Sequence, residues 1–184
     1  MDLEAIGLDV QGHEIASVGV VVVRQGQCID LASARHWLVR PAGRIPKTSA
    51  VIHQITDDQA ASGARLERVL PRLLRILAGR VLLAHHARVE LQFLGVACRR
   101  LYGQDLLILV VDTQRLARAT LGRSNQSVGG LYLRIGALRR RLNLPRCPAH
   151  NALTDALGAA ELFLALAARH RRDHRVPLRR LTAP

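Results

Sequence analysis

Aromatic side chains make up only 3% of this 184-residue chain, and Lys47 is its single lysine. With Trp37, Tyr102, Tyr132, Phe93 and Phe163 as the whole aromatic set, the core has to be built from Leu, Val, Ile and Ala. Phe93 and Phe163 read as core residues, so few rings are left for stacking against unpaired bases. Cysteine is scarce too: Cys28, Cys98 and Cys147 are odd in number, widely spaced and form no CxxC pair. That pattern argues against a disulfide framework or a zinc site and for a reducing, cytoplasmic location. No run approaches the roughly 18 apolar residues of a membrane span. The longest, Ile15 to Val23, is interrupted by Ser17 and Gly19, and the first residues, MDLEAIGLD, are acidic where a signal peptide would be basic. No membrane partner is expected. Negative charge is the last scarcity: 14 acids face 27 bases, a formal net charge of +13. A surplus of that size favours polyanionic partners, because each neutralised phosphate releases counterions.

What is present has a clear order. Ile15–Arg24 and Ile29–Val39 are β-rich runs on either side of Gln25-Gly26-Gln27, a hairpin turn. After a loop marked by Pro41, Gly43 and Pro46, short helical pieces fit Ala50–Ile55 and Asp57–Ala61, the second capped by Thr56. Leu66, Val69, Leu70, Leu73, Leu74 and Leu77 then recur at helical spacing, a pattern that tolerates Pro71 only with a kink. Val81–Ala84 and Leu106–Val111 read as short buried strands. Helices are expected over Ala87–Tyr102, from Asp112, over Gly130–Leu142 and over Leu153–His170. Antiparallel strands followed by strand–helix–strand–helix predict a mixed α/β sheet with helices on its faces. Residues 1–169 read as one domain and 170–184 as a basic tail that frays.

Three groups of residues carry chemistry. Asp2 and Glu4 stand two apart, so on a strand both carboxylates share one face of the sheet. Such a pair is costly against an apolar sheet unless a cation neutralises it. Glu90 opens a helix after a buried strand, where the dipole favours a carboxylate. His150 and Asp155 precede and open the last helix. On a continuous helix they would not share a face, but they converge if Asn151 caps the helix and His150 lies in the approach loop. Taken singly, each group also reads as a solvated chain end, a helix-start acid or a loop histidine.

In this order the groups resemble the DnaQ-like, DEDDh-type 3′–5′ exonucleases. Asp2-Leu3-Glu4-Ala5-Ile6-Gly7 matches a DxETTG motif, His85-His86-Ala87-Arg88-Val89-Glu90 an HNAxFD motif, and His150, Ala152 and Asp155 an HxAxxD motif. HEIASVGVVVV, IHQITDD and VDTQRLAR add similarity, so the resemblance runs from Asp2 to about Leu166. It implies a ribonuclease H-like sheet of about five strands, the first three antiparallel. It also implies two divalent ions, Mg²⁺ or Mn²⁺, held by Asp2, Glu4, Glu90 and Asp155. His150 would be the general base, and 3′-end contacts would fall at Ala5, Ile6, Gly7, His85 and Val89. DNA or RNA 3′ ends are the implied substrate, with a homodimer and a polymerase partner both left open.

The chain departs from that pattern in several places. Glu90 stands for Asp, Val89 for Phe, His86 for Asn and Ala5-Ile6 for Thr-Thr, and Asp2 follows directly on Met1, so that either the true start lies upstream or the strand carrying Asp2 is only a stub. A catalytically weakened or inactive module that binds nucleic-acid ends or a polymerase partner is therefore the alternative expectation. The runs Arg139–Arg141 and Arg171–Arg180 read as solvated basic faces or as phosphate contacts.

Overall fold

A computed structural model describes residues 1–7, 9–10, 14–25, 27–43, 45–46, 50–51, 54–121, 130–148 and 150–170. The expected fraying of the tail lies outside these, as do residues 52 and 53 of the helical piece expected at Ala50–Ile55, of which Ala50 and Val51 are helical and Gln54 and Ile55 are not.

β1 (Asp2–Ala5), β2 (Ile15–Arg24) and β3 (Cys28–Leu38) form an antiparallel sheet in the order β1-β2-β3. β-branched residues fill β2 because it is covered on both sides: Ile15 to Val21 are all buried. β4 (Leu82–Ala84) and β5 (Val110–Asp112) form a parallel pair. One hydrogen bond, from the Met1 nitrogen to the Leu83 carbonyl, joins the pair to β1. This is the mixed α/β architecture expected from the sequence, with its helices on both faces.

α1 (Asp57–Ala61) starts on the expected cap, where Thr56 and Gln59 form a reciprocal capping box. α2 (Leu66–Leu77) contains Pro71 and buries Val69, Leu70, Leu73 and Leu77. α3 (Arg88–Tyr102) ends on Gly103, whose φ of 66° suits the left-handed cap. α2, α3 and Met1, Leu3, Val18 and Val20 of the sheet share one apolar cluster. The opposite cluster draws on α4 (Thr113–Leu121), α5 (Ile135–Arg141) and α6 (Ala152–His170), with Leu133, Leu138, Leu162 and Leu166 at its centre. Phe93 belongs to the first cluster and Phe163 to the second, as expected.

Three sequence expectations are corrected. Leu106–Val111 is not one buried strand: only Val110–Asp112 pair, and Leu107 and Leu109 are exposed. β4 offers a ladder of just three residues, Leu82 to Ala84, so a longer apolar run has nothing to pair with. Gly130–Leu142 is likewise split into a 3₁₀ turn (Gly130–Leu133) and α5, broken at Arg134. The Arg139–Arg141 run is no uniform solvated face either. Arg139 is buried and donates to the Gly158 and Pro145 carbonyls and to Glu161 Oε2, tying α5 to α6.

Candidate active site

β1 delivers the first two acids. Asp2 pairs with Gly19 and Glu4 with Ser17 on β2, so both carboxylates lie on the same face. α6 meets the sheet at the same point. A Cβ on Gly19 would sit 2.1 Å from the Ala152 carbonyl oxygen and 2.3 Å from the Leu153 nitrogen, so only glycine lets the helix start rest on β2. Asp155 is thereby brought to β1. Single oxygens of Asp2, Glu4 and Asp155 all lie within 4.8 Å of one another.

The turn before α6 is built as the spacing demands. Asn151 Oδ1 accepts from the Leu153 and Thr154 backbone N–H groups at 3.1 and 3.2 Å, a side-chain N-cap. His150 takes a left-handed conformation, φ 68°, and its backbone N–H donates to Asp155 Oδ2 at 2.8 Å. Its imidazole lies in the exposed approach loop.

The turn before α3 works by different means. His86 is also left-handed, φ 65°, but α3 has no capping side chain of its own. Asp112, at the end of β5, takes that place: its oxygens accept from the His86 and Ala87 N–H groups at 3.0 and 3.1 Å. The same carboxylate accepts from Gln114 N–H at 2.8 Å and so caps α4 as well. His85 is held on both ring nitrogens, by Thr113 Oγ1 and the Leu133 carbonyl, each at 2.9 Å. It braces β4, α4 and the 3₁₀ turn. The sequence reading began a helix at Asp112 but gave its carboxylate no part in holding the turn before α3.

Glu90 lies in the first turn of α3, 3% exposed, with Oε2 buried and without a hydrogen-bond partner among the described residues. Burial pushes its carboxyl up to about 7, with Asp112 and Glu4 adding to the rise. Glu4 is also pushed to about 7, by desolvation first and Asp155 second. Asp2 rises well above the usual carboxylate range through desolvation, then through Glu90, Asp155 and Glu4. Asp155 is raised by burial against the opposing pull of the His150 hydrogen bond. Asp2, Glu4 and Asp155 thus form an acidic group that a cation would relieve, and Glu90 lies outside that group while still raising the proton affinity of Asp2. The donor set is all oxygen, with one buried oxygen unpartnered, which fits a hard divalent ion.

Of the other residues expected to touch substrate, Ala5, Gly7 and Val89 are half-buried, whereas Ile6 is buried beside Ala16, Ile45, Ile55 and Ala60. A cleft of about 980 Å³ is lined by Asp155 and His150 together with Arg134, Arg140 and Arg146.

The sequence profile of the RNase T family, described as exonuclease, matches residues 1–163. The chain is 30% identical over 164 residues to a PolC-type DNA polymerase III of Thermotoga petrophila, covering 89% of this chain and 11% of that protein. It is also 30% identical over 176 residues to the DNA polymerase III subunit epsilon of Treponema pallidum, covering 94% of this chain and 77% of that one. The chain thus spans about a tenth of the length of the PolC-type relatives it matches. Among solved structures, exonuclease X in complex with 5′-overhanging duplex DNA aligns with a TM-score of 0.67 at 26% identity, over 91% of this chain and 89% of that one. The nuclease domain of 3′hExo, a DEDDh family member bound to rAMP, shares the fold with a TM-score of 0.76 at 17% identity, over 96% and 93% of the two chains.

Proposed function

The chain belongs to the RNase T exonuclease family, and on that premise we propose that it removes nucleotides from the 3′ end of DNA by metal-dependent hydrolysis. The observation that carries the reading is the convergence of Asp2, Glu4 and Asp155 within 4.8 Å. Asp2, Glu4, Glu90 and Asp155 would hold two divalent ions, Mg²⁺ or Mn²⁺, which when bound stabilise charge on the attacking and leaving oxygens. Glu90 reaches one methylene further than the family's Asp.

The chain's own groups supply the rest. His150, in the exposed approach loop, takes the proton of the attacking water. Its left-handed backbone and its N–H bond to Asp155 fix that loop against the acid cluster. Arg134, Arg140 and Arg146 attract the phosphate backbone into the cleft. The basic tail beyond residue 169 adds sequence-independent affinity, so its truncation flattens the salt dependence of binding. The short β1 supports a second reading, in which the chain binds nucleic-acid ends without cleaving them.

A 5′-labelled oligodeoxynucleotide and its RNA twin, incubated with Mg²⁺, Mn²⁺ or EDTA, separate the two. A ladder shortening from the 3′ end, lost with EDTA and with Asp155→Ala, supports the nuclease. Intact substrate with salt-sensitive binding supports the second reading.

A further inference from the structure

α2 carries charge of one sign on the face turned away from the core. Its N-cap Arg65 and its residues Arg68, Arg72 and Arg75 are all exposed. They recur at spacings of three and four, so they share one stripe within about 80° of helical arc. Val69, Leu70, Leu73 and Leu77 fill the buried side. Glu67 is the one acid of the helix, and among the described residues no ion pair joins it to these arginines.

The stripe runs into a basic pocket. Arg75 shares a pocket of about 280 Å³ with Arg24 from the end of β2, Arg35 from β3 and Arg80 from the turn after α2. Asp30 is the only acid in that lining, and Arg24 takes it, with Nε and Nη2 both donating to Oδ2. Backbone carbonyls hold two of the others: Ala32 and Ala34 accept from Arg35, and Ile76 accepts from Arg80. Four guanidinium groups around one carboxylate repel one another, and a bound anion cancels the surplus. From this we infer that the outer face of α2 and the pocket at its C-terminal end form a second binding surface for a nucleic-acid strand, gripped by its phosphates.

Length and residue type support that occupant. From Arg65 to Arg75 the helix advances about 15 Å, over which one strand of a duplex presents about four phosphates. Cations and phosphates therefore match in number, and arginine is the side chain whose fork pairs with phosphate on two oxygens. The surface is separate from the acid cluster. α2 packs on the side of the sheet that carries Leu3, Val18 and Val20, while Asp2 and Glu4 alternate with Leu3 onto the other side, where α6 rests on Gly19. A strand held on α2 thus lies outside the cleft beside His150. The inference rests on reading the chain as one that acts on nucleic acid, but not on cleavage.

The test follows the anisotropy of a labelled single-stranded DNA of about 30 nucleotides, in EDTA so that cleavage plays no part. Joint replacement Arg68→Gln, Arg72→Gln and Arg75→Gln should weaken binding roughly tenfold at low salt and make the slope of log affinity against log salt shallower by about 2. Lysine at the same three positions should keep both near those of the unchanged chain. A control with Arg40, Arg100 and Arg118 changed to Gln, all exposed and from separate parts of the chain, should lose clearly less. An unchanged slope in the α2 variant, or a lysine variant as weak as the glutamine one, overturns the inference. So do equal losses in the two glutamine variants, since the arginines then act only through net charge. Loss of binding to polyglutamate with DNA binding intact also overturns it, in favour of an acidic protein partner. Because cleavage is not read, a chain that cuts nothing can still pass, and an active nuclease can fail.

Discussion

At the start of α6 the chain caps itself: Asn151 accepts from two N–H groups within its own turn, and Asp155 is tied to His150 five residues back. At the start of α3 nothing nearby does so, and the turn is held by Asp112 from the end of another strand. Both turns carry a left-handed histidine, but among the described residues only the α6 start brings its acid within 4.8 Å of Asp2 and Glu4, while Glu90 raises the proton affinity of Asp2 from the start of α3. The self-capped start presents its acid half-buried, whereas the start held from a distance presents Glu90 at 3% exposure with an unpartnered oxygen. A local cap fixes a helix by itself, while a remote one makes the acid's position depend on how β4 and β5 are packed.

Removing either acid tests whether both starts serve one site. Asp155→Ala and Glu90→Gln should each lower the exonuclease rate by on the order of a thousandfold, since a metal ligand is worth several kcal/mol. Near-normal turnover in the Glu90 variant would leave α3 outside the site. Asp112→Asn sharpens the contrast. It keeps the shape but removes one acceptor, so kcat should fall about 10- to 100-fold with the melting midpoint nearly unchanged. If kcat holds and the midpoint drops instead, Asp112 serves the fold alone.

Metal-free melting probes the acids as a group. Glu4 and Glu90 carry folded-state pKa values of about 7 against an ordinary 4.5, so the fold keeps protons that the unfolded chain has released. Their contribution to stability in EDTA is therefore fully present below pH 4.5 and is lost as pH rises through about 7. Mg²⁺ or Mn²⁺ should reverse the loss at pH 8, and a midpoint that climbs with pH in EDTA would contradict the cluster's burial. The smallest effect belongs to the local cap: Asn151→Ala should cost about 1 kcal/mol, read as a drop of ~2–4 °C in the melting midpoint.

The same contrast explains what the sequence could disclose. The α6 start was legible because cap, histidine and acid lie within six residues, and the capping box at Thr56 was legible for the same reason. β2 and β3 were legible from β-branched runs around a turn. The Asp112 brace was not, since it joins residues 25 or more positions apart. Nor was the short β5: an apolar run shows what a segment could bury, and only the length of its neighbour decides how much of it pairs. Arg139 looked like surface charge because its partners, Pro145, Gly158 and Glu161, come together only in the fold.

Gly19 carries a consequence beyond packing. Asp2 is its partner across the ladder, and the start of the helix bearing Asp155 rests on its bare α-carbon. The gap between the acids of β1 and that of α6 is thus gauged by contact of main chain on main chain, with no flexible side chain between to take up slack. Such a gauge has one setting. A single methyl group there acts as a shim that lifts the helix from the strand and widens the cluster, with every acid still in the sequence.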